Sequence, residues 1–303
     1  QTFFMLLAVV ISIYYLTKEM NISFTDYKTL IKEHDFAQIF FWDWQSSKFF
    51  FKQFFAGAFI VVVMTGLDQN MMQKNLTCKS LGDAKKNMYW FSAILVPVNF
   101  LFLSLGLLLY LYAEQNGISL PARSDDLYPI LALNHFTVFI GIVFLLGIIA
   151  AAFSSADSAL TALTTAFCVD FLNLDDKPEK GKRNARLKVH VAFSFILFLV
   201  IVVFRIINND SVISAVFTVA GYTYGPLLGL YSFGLFTKKQ VIDKYVPVIA
   251  VLSPVLAYII SLNSEWLFWG YKFGFEVLIL NGLLMFIGLL IISRKDHIIT
   301  RGA

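Results

Sequence analysis

The part of this chain richest in possible chemistry is 150–172, Ala-Ala-Ala-Phe-Ser-Ser-Ala-Asp-Ser-Ala-Leu-Thr-Ala-Leu-Thr-Thr-Ala-Phe-Cys-Val-Asp-Phe-Leu. On a helix, positions 151, 154 and 155 share one face. The Ala151 carbonyl keeps a second lone pair after accepting the amide of residue 155. It therefore converges with the hydroxyls of Ser154 and Ser155. Neutral oxygens in such a cluster suit a hard monovalent cation, which wants oxygen ligands only. The alternative is that these hydroxyls bond back to the carbonyl four residues earlier, or pack as small residues. Asp157 lies three residues from Ser154 and either joins the same face or pairs with another helix. A carboxylate at membrane depth is costly and turns toward a cavity or a partner.

A second polar segment opens at Met64-Thr65-Gly66-Leu67-Asp68-Gln69-Asn70, with Gln73 one turn further on. Glycine at an apolar-to-polar transition lets a helix unwind, freeing backbone groups to line a cavity. The competing reading is a helix end entering the interface. His34, His135, His190 and His297 are scattered and nowhere share a face, as a metal or catalytic cluster would require. Cys78 and Cys168 read as small apolar fillers. The aromatic runs Phe40-Phe41-Trp42-Asp43-Trp44 and Trp266-Leu267-Phe268-Trp269 read as interfacial belts.

The elements that position these residues follow from composition. The 303 residues are 58% hydrophobic and 15% charged, with a mean hydropathy of +0.72 and 32 phenylalanines. Soluble domains carry about 25% charged residues, so a soluble enzyme, a nucleic-acid binder and a disulfide scaffold are all excluded. The chain reads as an all-α polytopic membrane protein. Spans of roughly 20 apolar residues fall near 2–17, 51–72, 88–112, 137–172, 189–208, 212–236, 246–262 and 275–293, about eight in all. The 137–172 run would be about 54 Å long, with Ser154 and Ser155 at its midpoint. Pro97 lies inside the third span, and the polar Ser-Ser-Ala-Asp-Ser run lies inside the fourth, which still reads as one uninterrupted helical run. Gly221, Gly225, Pro226 and Gly229 weaken or break the sixth.

Loop charges give an orientation. Sixteen Lys and Arg fall in one set of loops: Lys74, Lys79, Lys85, Lys86, Lys177, Lys180, Lys182, Arg183, Arg186, Lys188, Lys238, Lys239, Lys244, Arg294, Lys295 and Arg301. Six fall in the alternating set: Lys18, Lys28, Lys32, Lys48, Arg123 and Lys272. The first set is expected in the cytoplasm, together with the C-terminus. The segments 18–50 and 114–136 are then long outer loops, and Asp175-Asp176-Lys177 to Lys188 an inner connector. Residues 1–303 form one transmembrane domain, whose abrupt apolar start looks like a cut through a longer protein.

At its two polar segments the chain resembles the sodium/solute symporter family, which includes sodium/glucose transporters. Gly66-Leu67-Asp68-Gln69, Gln73-Lys74-Asn75-Leu76 and Ala84-Lys85-Lys86 are similar to the family's signature after its sixth core helix. Ala151, Ser154-Ser155-Ala156-Asp157-Ser158, Thr164-Thr165 and Asp170 are similar to its eighth. Gly225-Pro226-Leu227-Leu228-Gly229 with Gly234-Leu235-Phe236 is a weaker match to its tenth. The resemblance implies a LeuT-like inverted repeat of five plus five helices with mid-membrane sites, the first repeat largely missing. It implies a sodium site to which this chain contributes the Ala151 carbonyl and the Ser154 and Ser155 hydroxyls, with Asp157 a further candidate. The first-helix share of that site has no counterpart here. It also implies a substrate pocket, to which Met64, Thr65, Gly66, Asp68, Gln69, Tyr222 and Tyr224 are the residues on offer. Met64 supplies no ring to stack on a sugar.

The function so implied is sodium-coupled symport of a small organic solute (a sugar, amino acid, vitamin or organic anion) by alternating access. The setting would be the plasma, or inner, membrane. Sodium is the coupling ion, no organic cofactor is implied, and the partners are the solute and the lipid bilayer, with no nucleic acid. The alternatives are a proton-coupled transporter of the same fold and a symporter-like sensor. A sensor needs a signalling domain, which the short Arg294 to Ala303 does not supply. An intramembrane enzyme would need the clustered His, Asp or Glu that the sequence lacks, so a non-enzyme is expected.

Overall fold

The computed structural model describes residues 2–23, 29, 38, 40–172, 178–207 and 211–294. Lys28, Lys32, His34, Asp175, Asp176, Lys177, Lys295, His297 and Arg301 lie outside the described residues, as do the side chains of Gln69, Asn70, Gln73, Lys74 and Arg294. The chain divides into two compact units, 1–37 with 73–212, and 38–72 with 213–303.

In the first unit, α1 (Thr2–Glu19) is followed by α4 (Leu81–Gln115), α5 (Leu127–Asn134), α6 (Val138–Asp170) and α7 (Glu179–Ile207). α2 (Phe50–Gly66) and the start of α3 (Gln69–Leu76) belong to the second unit. The side chain of Ser80 caps α4 by accepting from the Asp83 amide at 3.1 Å. That cap starts the helix seven residues before the expected Met88, because the polar first turns are capped rather than unwound. Pro97 sits inside α4 without ending it, and the Ser-Ser-Ala-Asp-Ser run likewise leaves α6 continuous. The fourth span is thus the one long helical run that the sequence reads, and Pro97 leaves the third unbroken as well.

The core of this unit joins Val9 and Leu16 of α1, Leu105, Leu108, Leu109 and Tyr112 of α4, and Leu127 and Leu131 of α5. The Ser12 and Tyr128 hydroxyls bond at 2.8 Å. Gly147 lets α6 approach the α1 backbone: a Cβ there would stand 3.3 Å from the Phe4 carbonyl and 3.4 Å from the Met5 Cα. α7 packs on the far part of α6, through a 3.2 Å bond between Thr164 and His190 and an edge-on contact of Phe167 with Phe193.

In the second unit, α2 is followed by α8 (Val212–Thr223), α9 (Gly225–Phe236), α10 (Val246–Leu262), the short α11 (Ser264–Leu267) and α12 (Val277–Ile291). A two-residue antiparallel pair joins Gln240–Val241 to Ser293–Arg294. α9 and α12 pack backbone to backbone. A Cβ on Gly229 would overlap the Gly282 carbonyl and the Met285 side chain, and one on Gly225 would overlap the Asn281 side chain. Ile60 and Val63 of α2 meet Leu228 of α9 and Leu278 of α12 in a shared core.

Each expected span contains helix among the described residues. Among the described residues five helices have the length and apolarity to cross a bilayer, or six if α8 and α9 count as one bent span. α2 and α12 are apolar but shorter, 17 and 15 residues. The expected count of about eight spans therefore exceeds what helix length supports here. α2 is short because its expected run, 51–72, stops at Gly66 instead of continuing through the polar residues. α5, α11 and the β pair were not foreseen.

Candidate ion and solute sites

Ser154 lies at the middle of the 33-residue α6. One stretch of that helix face is buried through Ile140, Gly141, Val143, Phe144 and Gly147, and another through Thr164 and Cys168. No residue of 151–160 is buried: Ala151 is half-buried, while Ser154, Ser155 and Asp157 are exposed. Ser92 and Ser194 donate to the carbonyls four residues earlier, at 2.9 and 2.8 Å. Among the described residues, Ser154 and Ser155 have no such back-bond and no other side-chain partner. Their hydroxyls are free to turn toward an ion. Asp157 likewise forms no salt bridge with a described residue, and no His, Cys, Asp or Glu cluster among them could hold a metal.

The second site lies where two helices break. α2 ends at Gly66, and Leu67 and Asp68 form the step before α3. Asp68 Oδ1 accepts the Met71 amide at 3.1 Å, an N-cap bond that starts the new helix. Asp68 Oδ2 accepts from the Tyr224 hydroxyl at 3.2 Å. Tyr224 stands in the other break, between α8 and α9, which are bent by 45°. One carboxylate thus links two interrupted helices, with both of its oxygens used. Met64 and Tyr224 pack on the same small core beside Leu67. Thr65 is turned back onto its own helix, its hydroxyl donating to the Val61 carbonyl. Space is open around Gly66, where a Cβ would meet nothing within 4 Å. Tyr222 packs edge-on against Tyr258 of α10, with ring centroids 5.8 Å apart. The structure therefore brings Met64, Asp68 and Tyr224 together and gives Tyr222 a different neighbour.

Two groups escape sequence reading. Asn281 of α12 is completely buried and donates to the Gly221 and Tyr222 carbonyls at 3.1 and 2.9 Å. Its only sequence signal is one amide in an apolar helix. Lys52, 7% exposed, donates to the Ser46 and Lys272 carbonyls at 3.1 and 3.2 Å, and its ammonium lies 3.4 Å from the Tyr271 ring centroid. The Tyr271 hydroxyl donates to Glu276 Oε1 at 3.0 Å, as does the Gly274 amide. Burial, and then the Glu276 carboxylate, push the Tyr271 phenol well above its ordinary value, so it stays a neutral donor.

Long apolar helices, with two breaks at polar residues, fit a polytopic α-helical membrane protein. Comparison with known proteins narrows the class. No protein-family model matches the chain. It is 25% identical over 197 residues to a sodium/sialic acid symporter, SiaT, of Proteus mirabilis, covering 61% of this chain and 39% of that protein. It is 23% identical over 249 residues to another, NanT of Aliivibrio fischeri, covering 77% and 47%. A putative sodium-dependent multivitamin transporter of Drosophila melanogaster is 24% identical over 203 residues, covering 62% and 33%. The chain is thus similar to sodium-coupled solute symporters, and its matches span between a third and just under half of their length.

Proposed function

We propose that this chain is part of a sodium-coupled symporter that moves a small polar organic solute by alternating access. The observation carrying this reading is the pair of unbonded hydroxyls, Ser154 and Ser155, at the midpoint of a 33-residue membrane helix. Serine in a membrane helix ordinarily bonds back to its own backbone. Two adjacent serines that make no such bond among the described residues, one turn from half-buried Ala151, fit an ion that accepts only oxygen. Ala151, Ser154 and Ser155 would hold sodium from one side, and the remaining ligands must come from another segment. Asp157 would add negative charge nearby without entering the neutral oxygen set.

The two helix breaks support a LeuT-like arrangement, in which interrupted helices present polar groups at mid-membrane. The solute would meet Asp68 and Tyr224, with Met64 and the open space at Gly66 as the apolar side of the pocket. Thr65 and Gln69 flank Gly66 and Asp68 in the chain, and Tyr222 lies two residues before Tyr224, so all three are further candidates for the solute site. Sodium favours the conformation it binds, and by linkage sodium and solute tighten each other's binding by the same factor. The charge asymmetry of the loops supports a cytoplasmic C-terminus in a plasma, or inner, membrane.

Thermal stability of the complete protein in sodium against potassium, at matched ionic strength, tests this reading without knowledge of the solute. A ligand of the folded state alone raises stability by mass action, about 2.7 kcal/mol at a hundredfold excess over Kd. Wild type is expected to gain stability in sodium and Ser155→Ala to lose that gain. In uptake assays, Ser155→Ala should raise the half-saturating sodium concentration far more than Ser158→Ala. A chain indifferent to sodium would favour proton coupling or a sensor.

A further inference from the structure

Proline at 226 has no amide hydrogen, so the carbonyl four residues earlier, at Tyr222, loses its helical donor. A carbonyl stranded in an apolar interior is costly unless another donor reaches it. The donor here comes from 59 residues further along the chain. Asn281 Nδ2 lies 2.9 Å from the Tyr222 carbonyl and 3.1 Å from that of Gly221. Two carbonyl neighbours fix which end of the amide is nitrogen. The approach is possible because residue 225 is glycine, where any side chain would overlap Asn281.

Burial alone does not account for the asparagine. The residue is completely enclosed and its Oδ1 has no partner among the described residues, an arrangement that leucine would improve on if packing were the only requirement. What asparagine supplies and leucine lacks is the pair of donated hydrogen bonds. They fall on the last turn of α8, just before Tyr224, whose hydroxyl reaches Asp68 at 3.2 Å.

We propose that Asn281 is a positioning residue for the solute site: its amide replaces the donor that Pro226 removes, holds the α8–α9 break in its bent form, and thereby aims Tyr224 at Asp68. The proposal rests on the reading of Asp68 and Tyr224 as part of the solute site, but its test does not require transport.

The test uses thermal stability and folded yield of the complete protein in detergent, in two double-mutant cycles. Asn281→Leu is expected to lower the melting temperature. Pro226→Ala returns an amide hydrogen to position 226, so in that background Asn281→Leu should lose at most half as much. The second cycle reads positioning. Tyr224→Phe should lower stability in wild type and have little further effect once Asn281→Leu has let the break relax. Should Asn281→Leu fail to fold, recovery of folded yield by Pro226→Ala is the same readout, and no recovery overturns the proposal. Additive losses in both cycles would show that Asn281 only packs, and would also overturn it. Coupled cycles in a protein indifferent to sodium would keep the role of Asn281 while removing the symport reading. Additive cycles in a sodium-stabilised protein would do the reverse.

Discussion

Replacing Lys52 by methionine should destabilise the second unit by about 3 kcal/mol, the scale for removing one partner from a buried charged network. Lys52 is 7% exposed and makes two ammonium–carbonyl bonds, each worth roughly 1.5–3 kcal/mol. The Tyr271 ring at 3.4 Å adds about 0.5–2 kcal/mol. Against this stands the cost of burying the ammonium, several kcal/mol, which methionine removes while keeping the apolar stem. These contributions nearly cancel. What tips the balance is Glu276, 8% exposed, whose Oε2 has no hydrogen-bond partner among the described residues and whose charge interacts with that of Lys52, an interaction that methionine removes. Glu276→Gln in the Lys52→Met background should therefore recover more than half of the loss. At roughly 2–4 °C per kcal/mol, Lys52→Met should lower the melting temperature by about 6–12 °C, read by fluorescence-detected size exclusion of the heated protein. Lys48→Met, at an exposed position of the same segment, is the control. A Lys52→Met protein as stable as that control, or a double variant losing the sum of the single losses, would refute the reasoning.

Gly147 gives a prediction whose sign depends on side-chain size. Alanine there gains about 1 kcal/mol of helix propensity against a slight push on the α1 backbone, and should be near neutral. Leucine must move α1 off α6 and should cost about 1–3 kcal/mol, measured by the same melting assay. Tyr271 predicts a pH dependence. Its phenol is raised in the folded protein, so its stabilisation is complete below the ordinary tyrosine value of about 10 and is lost as pH rises above it. Wild type should therefore lose stability above about pH 10 more steeply than Tyr271→Phe, in melting curves collected across that range.

Much of the architecture is legible in the chain itself because membrane solvation is a strong constraint: twenty-residue apolar runs have few alternatives to helix. Hydropathy places a helix in each of the eight regions. The breaks were also visible locally, since Gly66 and Asp68, like Gly225 and Pro226, are residues that stop or start helices by their own backbone chemistry. Local sequence misjudged Pro97, which weakens a helix by itself but is carried within the 35-residue α4. It also placed the start of α4 late, because a capped polar turn has no hydropathy signal.

The serine pair at 154 and 155 follows from helical periodicity alone, which puts 151, 154 and 155 on one face of any helix. Whether those hydroxyls bond back or stay free was a question only coordinates could decide, since both arrangements share one sequence. The Asp68–Tyr224 bond, the Asn281 amide on the Tyr222 carbonyl that Pro226 strands, and the Lys52–Tyr271–Glu276 group all join residues far apart in the chain. Sequence determined the residue types, the helices and the places where they break. Tertiary structure decided which broken helix meets which, because a hydrogen bond specifies a donor and an acceptor a few ångströms apart, and separation along the chain does not encode that distance.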